Sequence, residues 1–257
     1  MGIKAVIRKI FAAAGYVIVP LQPADGVYDE DGLRSIHNCD FMKDPAFRKA
    51  YDRGCRAADD YKWHWRVHIG LWAARTASRL QGDFVECGVN RGFLSSAIME
   101  YLDWDSTGKT FYLLDTFQGV DPRQVSQEDL QNDVLQKNAA SLKSGFYVQG
   151  VETVRENFSQ WRNLRIIQGS IPETLGQVEA RSIAYLHLDM NCSPPEVAAL
   201  DYFWDRMVPG AVVLLDDYAY WSLEAQKHAM DVLARKKDLV IAALPTGQGL
   251  LLKPPGA

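Results

Sequence analysis

Asp83-Phe84-Val85-Glu86-Cys87-Gly88-Val89-Asn90-Arg91-Gly92 is the stretch from which the rest of the chain can be read. Phe84 to Cys87 form a short apolar run with one acid, and Gly88 ends it. Beyond Gly92, the residues Leu94, Ala97, Ile98 and Tyr101 recur at three- and four-residue intervals. A strand that turns tightly into a helix accounts for both patterns. The same alternation continues downstream, with strand-like runs at 111–115, 164–168, 183–189 and 211–216 separated by helical segments. Strands interleaved with helices imply a parallel sheet covered on both faces, a doubly wound α/β architecture. Two last runs, 239–244 and 249–253, are joined only by residues 245–248. A connection that short cannot cross a sheet, so the seventh strand returns antiparallel.

Upstream, residues 46–80 read as helices, with Phe47, Ala50, Tyr51, Trp65, Ile69, Trp72, Ala73 and Thr76 at helical spacing. Residues 20–45, rich in Gly, Pro, Asp and Asn, read as a long connection. The division expected is a helical cap over residues 1–80 and a ligand-binding domain over residues 81–257.

Composition bounds the function. The 257 residues are 47% hydrophobic and 23% charged, which excludes a disordered chain and a disulfide-stapled miniature. Lys plus Arg is 28 against 32 Asp plus Glu, a net charge of −4, and no basic block appears, so nucleic acid is a poor partner. Cys39, Cys55, Cys87 and Cys192 lack any C-x-x-C spacing and fit free thiols in a reducing, cytoplasmic setting. Near the start, Ile3, Val6, Ile7 and Ile10 share one helical face while Lys4, Arg8 and Lys9 lie off it. This reads as a packing helix or the seam of a homo-oligomer, with contact to a membrane surface as the alternative. Its apolar run is too short and too charged for stable membrane insertion. Val6 stands where a myristoylation signal at Gly2 wants Ser or Thr.

In doubly wound sheets ligands bind beyond the carboxyl ends of the strands, so those tips hold the candidates. The first offers Glu86, Gly88 and Gly92, a bend that brings bare backbone near a ligand but lacks the third glycine of a dinucleotide fingerprint. The second ends in Asp115-Thr116, where a carboxylate can accept from both hydroxyls of a ribose or cap the next segment. The third runs into Gly169-Ser170-Ile171-Pro172-Glu173, a capping box first and a ligand contact second. The fourth and fifth end in His187-Leu188-Asp189 and Leu215-Asp216-Asp217. Three carboxylates at one edge repel unless a cation or proton offsets them, and an all-oxygen set favours Mg²⁺ or another hard divalent ion. The bland alternative for each is a helix cap.

These stretches together, with the turn Leu114-Asp115-Thr116-Phe117-Gln118-Gly119, Val154-Arg155-Glu156-Asn157-Phe158 and Val208-Pro209-Gly210 before the last acids, resemble the macrocin O-methyltransferase family. The motifs occur in the same order over residues 83–253. That resemblance implies S-adenosylmethionine as methyl donor, Mg²⁺ as the usual helper, and a sugar hydroxyl of a natural product as acceptor. It implies that Glu86, Gly88 and Gly92 shape the methionine pocket, that Asp115 with Thr116 holds the ribose, and that Gly169 and Ser170 lie near the adenine. Asp189, Asp216 and Asp217 would hold the metal, Asp189 doubling as proton acceptor. The family usually places a second acid two residues after the strand-four Asp, whereas this chain has Asn191, which can ligate but cannot take a proton.

His187 is the second choice of base, expected to point away from Asp189. His64 and His68 are one helical turn apart but lack the accompanying Glu of a metal motif. Tyr61, Trp63, Trp65 and Trp72 are core aromatics or the floor of an acceptor site. Two rival readings stay open: a metal-dependent nucleotide-sugar enzyme, and a non-catalytic scaffold of the same fold.

Overall fold

The computed structural model describes residues 3–16 and 27–256. Its contacts divide the chain into two units, Met1–Cys39 and Asp40–Ala257. In the first, helix α1 (Ile3–Ala13) has no buried residue, and strands β1 (Tyr28–Glu30) and β2 (Leu33–Ser35) pair antiparallel. The two-residue loop between them is Asp31-Gly32, both with positive φ (52° and 71°), the conformation that matches the twist of a hairpin. An Asp-Gly dipeptide is a hairpin signal, so this part of the stretch read as a connection holds structure. Three-residue strands are too short to show alternation.

The second unit begins with helices. Pro45 opens α2 (Pro45–Ala57), and the Asp44 side chain accepts from the Ala46 amide at 3.0 Å, capping it. α3 (His64–Ala77) follows. Both belong to the same unit as the sheet, so the contacts divide the chain at Cys39 rather than at residue 80. The remaining elements are β3 (Asp83–Cys87), α4 (Phe93–Leu102), β4 (Phe111–Asp115), α5 (Gln127–Gln131), α6 (Val134–Ser144), α7 (Glu152–Phe158), β5 (Leu164–Gln168), β6 (Ile183–Leu188), α8 (Ser193–Trp204), β7 (Met207–Leu215), α9 (Glu224–Lys236), β8 (Ala242–Ala243) and β9 (Gly249–Leu252).

β3 to β9 form one seven-stranded sheet in the order β5-β4-β3-β6-β7-β9-β8. The first five are parallel, and β9 runs antiparallel to both neighbours. The fold is the doubly wound, mostly parallel α/β sheet read from the sequence. One expectation fails between β5 and β6: Ser170 does not cap a helix. The chain turns there, with the Thr174 amide donating to the Ser170 carbonyl at 3.1 Å. Ile171, Leu175 and Val178 are buried in the core so soon after the strand that only a short 3₁₀ turn, Leu175–Gln177, forms.

Side chains alternate along a strand, and here both faces are buried. Val85 and Cys87 of β3, with Leu186, Leu188, Val213 and Leu215, pack under α8 and α9. Phe84, Phe111, Leu113, Tyr185 and Leu214 pack on the other face with residues of α2, α3 and α4. Continuing that second face to the carboxyl edge yields Glu86, Asp115, His187 with Asp189, and Asp216. Among the described residues, no helix is long and apolar enough to cross a membrane.

Candidate active site

Those tips line one cavity of about 290 Å³. Of the residues singled out from the sequence, Glu86, Gly88, Asp115, Thr116, Gly169, Ser170, Asp189, Asp216 and Asp217 are on its wall; Gly92 is not. Gly92 opens α4 with φ +83°, and a Cβ there would meet the Phe158 ring at 2.4 Å, so its bareness serves packing. Gly88 has φ +91°, and a Cβ would stand 1.8 Å from the Asp189 carbonyl oxygen. Its bareness admits the backbone of the neighbouring strand's tip.

The loop after β3 is held from several sides. The Val89 and Asn90 amides both donate to Asp115 Oδ2 at 2.7 Å, and the Phe117 amide donates to Oδ1 at 2.6 Å. A carboxylate has about four acceptor positions, so Asp115 keeps roughly one for anything in the cavity. Asn90, with positive φ, locks the far wall: its Oδ1 accepts from the Val148 amide at 2.9 Å and its Nδ2 donates to the Phe146 carbonyl at 3.1 Å. Thr116 Oγ1 donates to the Gly119 carbonyl at 2.5 Å. Asp121, a lining acid that sequence reading passed over, is held well below the usual carboxylate range by hydrogen bonds from Arg123 and Ser170.

At the other end, Asp189, Asp216 and Asp217 each present a carboxylate oxygen within 4.8 Å of the others. Burial and the charges of Asp216 and Asp217 push the Asp189 carboxyl well above its ordinary value, so without a cation it retains a proton. Asp216 goes the opposite way. Burial works against its charge, but the Arg66 guanidinium, His187 and Gln248 outweigh it and hold it low. Arg66, reaching in from α3, forms an ion pair with Asp216, lies 3.9 Å from Asp217 and stacks 4.8 Å from the Tyr220 ring. Gln248 Nε2 donates to Asp216 Oδ1 at 2.9 Å. A hard divalent ion fits this donor set, because it would take the place of the proton on Asp189.

His187 turns toward the site, contrary to expectation. Residues two apart on a strand share a face, and the deeper position is filled by partners: Nδ1 lies 2.9 Å from Glu86 Oε1 and Nε2 lies 3.7 Å from Asp216 Oδ1. Burial lowers its pKa, but these two acids outweigh that and push it up to about 10. A cation sandwiched between two acids is a poor proton acceptor. Glu86 Oε2 is buried on the cavity wall with no hydrogen-bond partner, so it awaits a donor.

Tyr61 and Trp63 line the cavity with Phe93 and Phe146, Tyr61 lying 4.4 Å from Trp63 and 5.2 Å from Phe146. Trp65 and Trp72 are not on the wall. His64 and His68 do not converge on a metal; they stack on Tyr51 (4.4 Å) and Phe41 (4.1 Å). Asn191 donates from Nδ2 to Asp189 Oδ1 at 3.2 Å, orienting the acid it follows.

A profile of the macrocin O-methyltransferase (TylF) family matches residues 72–239, from α3 through the last parallel strand and α9. The chain belongs to the macrocin O-methyltransferase family. Within it, the chain is similar to an 8-demethyl-8-(2,3-dimethoxy-alpha-L-rhamnosyl)-tetracenomycin-C 4'-O-methyltransferase of Streptomyces olivaceus, 26% identical over 56% of this chain and 55% of that one. It is also similar to a mycinamicin III 3''-O-methyltransferase of Micromonospora griseorubida, 26% identical over 53% and 55%. The chain thus spans about half the length of these curated relatives. Among solved structures, the O-methyltransferase NovP superposes with a TM-score of 0.63 at 21% identity, covering 74% of this chain and 79% of that one. The calicheamicin methyltransferase CalS11 gives 0.54 at 15%, covering 92% and 100%. At these identities the likeness is one of fold.

Proposed function

We propose that this family member transfers a methyl group from S-adenosylmethionine to a hydroxyl of a sugar or glycosylated small molecule, assisted by Mg²⁺. One observation carries the reading: an unpartnered carboxylate oxygen on Glu86, the loop-pinning Asp115 and the cluster Asp189, Asp216 and Asp217 face a single cavity at the carboxyl edge of the sheet. Its two ends suit two reactants. Glu86 Oε2 accepts from the donor's amino group, Asp115 offers its remaining acceptor position to a ribose hydroxyl, and Gly169, Ser170 and Asp121 border the adenine. The mutually tilted rings of Tyr61, Trp63 and Phe146 offer apolar ring faces for a sugar.

S-adenosylmethionine, when bound, supplies an activated methyl group open to in-line attack by an oxygen. A hard divalent ion on Asp189, Asp216 and Asp217 would supply the charge that makes a sugar hydroxyl easier to deprotonate. The chain's own residues align and receive. With an ion in the place of its proton, Asp189 would be an ionised carboxylate beside the acceptor hydroxyl and would take that hydroxyl's proton. Asn191 holds that carboxylate in direction, and Arg66 fixes Asp216 beside it.

Thermal unfolding with S-adenosylmethionine or its demethylated product, with Mg²⁺ or chelator, tests the assignment. A ligand at about 100 times its Kd adds about 2.7 kcal/mol of stability, and Asp115→Ala loses most of that gain. Asp189→Asn keeps the cofactor-induced gain but lowers transfer of labelled methyl to glycoside hydroxyls by about 10²-fold or more. A gain given by uridine or guanosine sugars and not by S-adenosylmethionine would overturn the reading. Cofactor binding with no transfer to any hydroxyl would instead assign a scaffold.

A further inference from the structure

Helix α1 lies apart from the cavity in sequence, and no element of the methyl-transfer reading uses it. At 100° per residue, Val6, Ile10, Ile3, Ile7 and Phe11 fall within an arc of about 140°. Lys4 and Arg8 border that arc on one side and Lys9 borders it on the other. All five apolar side chains are exposed, Ile3 at 77% and Ile10 at 63%. The helix contains no acid, and neither does any part of residues 1–24.

We propose that α1 docks in the plane of an anionic lipid surface, its apolar arc in the acyl boundary and its three cations among the headgroups. Charge decides between lipid and a second copy of the helix. In a self-paired helix, parallel or antiparallel, the residues bordering the seam of both copies are cations, and no acid of the helix is there to pair with them. Anionic headgroups meet both borders at once, and long basic side chains reach outward from an embedded apolar face. The helix is about 16 Å long, half the hydrocarbon thickness, so it lies flat rather than crossing. The chain as a whole is acidic, with a net charge of −4, so such a surface attracts this segment in particular and sets the orientation of docking.

The test is co-sedimentation of the full chain with phosphatidylcholine vesicles, with or without one quarter phosphatidylglycerol, at low and high salt. Sedimentation equilibrium without vesicles accompanies it. The expected result is binding at least about tenfold stronger to the anionic vesicles, weakened by salt. The triple variant Lys4→Gln/Arg8→Gln/Lys9→Gln and the double variant Ile7→Glu/Ile10→Glu each abolish it, while thermal stability matches the parent and shows the fold intact. Equal binding to neutral vesicles, binding that survives the triple variant, or no binding to either vesicle would overturn the proposal. So would a dimer that Ile7→Glu/Ile10→Glu converts to monomer, which would assign the face to a second copy. None of these outcomes depends on whether S-adenosylmethionine binds.

Discussion

Arg66 supplies a positive charge to the acid cluster from a position 150 residues before Asp216. Both partners are buried, so removing the guanidinium leaves the Asp216 carboxylate in a low-dielectric site with only His187 and Gln248 to offset it, at a cost toward the lower end of about 3–5 kcal/mol. Arg66→Met is therefore expected to lower the urea midpoint in chelator. Mg²⁺ is expected to restore more stability to that variant than it adds to the parent, because Asp216 then keeps only His187 as a neighbouring cation. Equal responses to Mg²⁺ would show that Arg66 and the ion do not share Asp216. The residue was not read from the sequence, where the helical face taken ran through Trp65, Ile69, Trp72 and Thr76, of which Trp72 and Thr76 are exposed. On α3 the buried positions are Arg66, Val67, Gly70, Leu71, Ala73, Ala74 and Ala77, and an arginine in phase with such a stripe signals a buried partner. What no pattern names is which acid it meets. His187 was misread in orientation: strand alternation puts it on the face of Asp189, but its depth in the sheet was taken to turn it away, whereas Glu86 and Asp216 lie on either side of it there.

At the scale of elements, the central strands of the large sheet were the readable part, because short apolar runs ending in an acid or glycine are there buried on both faces and leave little latitude. The segment between β4 and α7 was not readable, since its helices are short and bury few residues. One side chain ties it down. Asp129 of α5 is fully buried, and its carboxylate accepts from the Ser126 hydroxyl at 2.6 Å, the Ser193 hydroxyl at 2.9 Å and the Ser193 amide at 3.2 Å, joining α5 to the start of α8. Asp129→Ala strands those donors. The expected loss is about 1–3 kcal/mol in unfolding free energy, with faster amide exchange in α5 and the first turn of α8 while β3 and β6 keep their protection. Uniform exchange across all these elements would contradict the tie.

For the whole molecule, buried Glu196 gives stability a slope against pH. Burial, with the Asp217 charge behind it, raises its carboxyl from 4.5 to about 8 in the folded chain. Between those values the folded state holds a proton that the unfolded chain has released, so stability falls as pH rises, by at most about 1.4 kcal/mol per pH unit for one such group. Glu196→Gln removes the proton exchange. Urea midpoints measured in chelator from about pH 5 to about pH 8 are expected to show the variant gaining on the parent as pH rises. A constant difference across that range would remove Glu196 as the source. This group was invisible in the sequence, where a glutamate in a helix's first turn looks like an ordinary dipole partner.

The missing Cβ at Gly88 has one more consequence. With the bend after β3 seated against the Asp189 carbonyl, a displacement of that bend is passed directly to the backbone that carries the Asp189 carboxylate. An engineer who enlarged the bend to admit a bulkier alkyl donor would push aside the very carboxylate meant to receive the proton. Changes of substrate are therefore better sought on the acceptor side at Tyr61 and Phe146, which line the cavity without touching that bend's contact with Asp189.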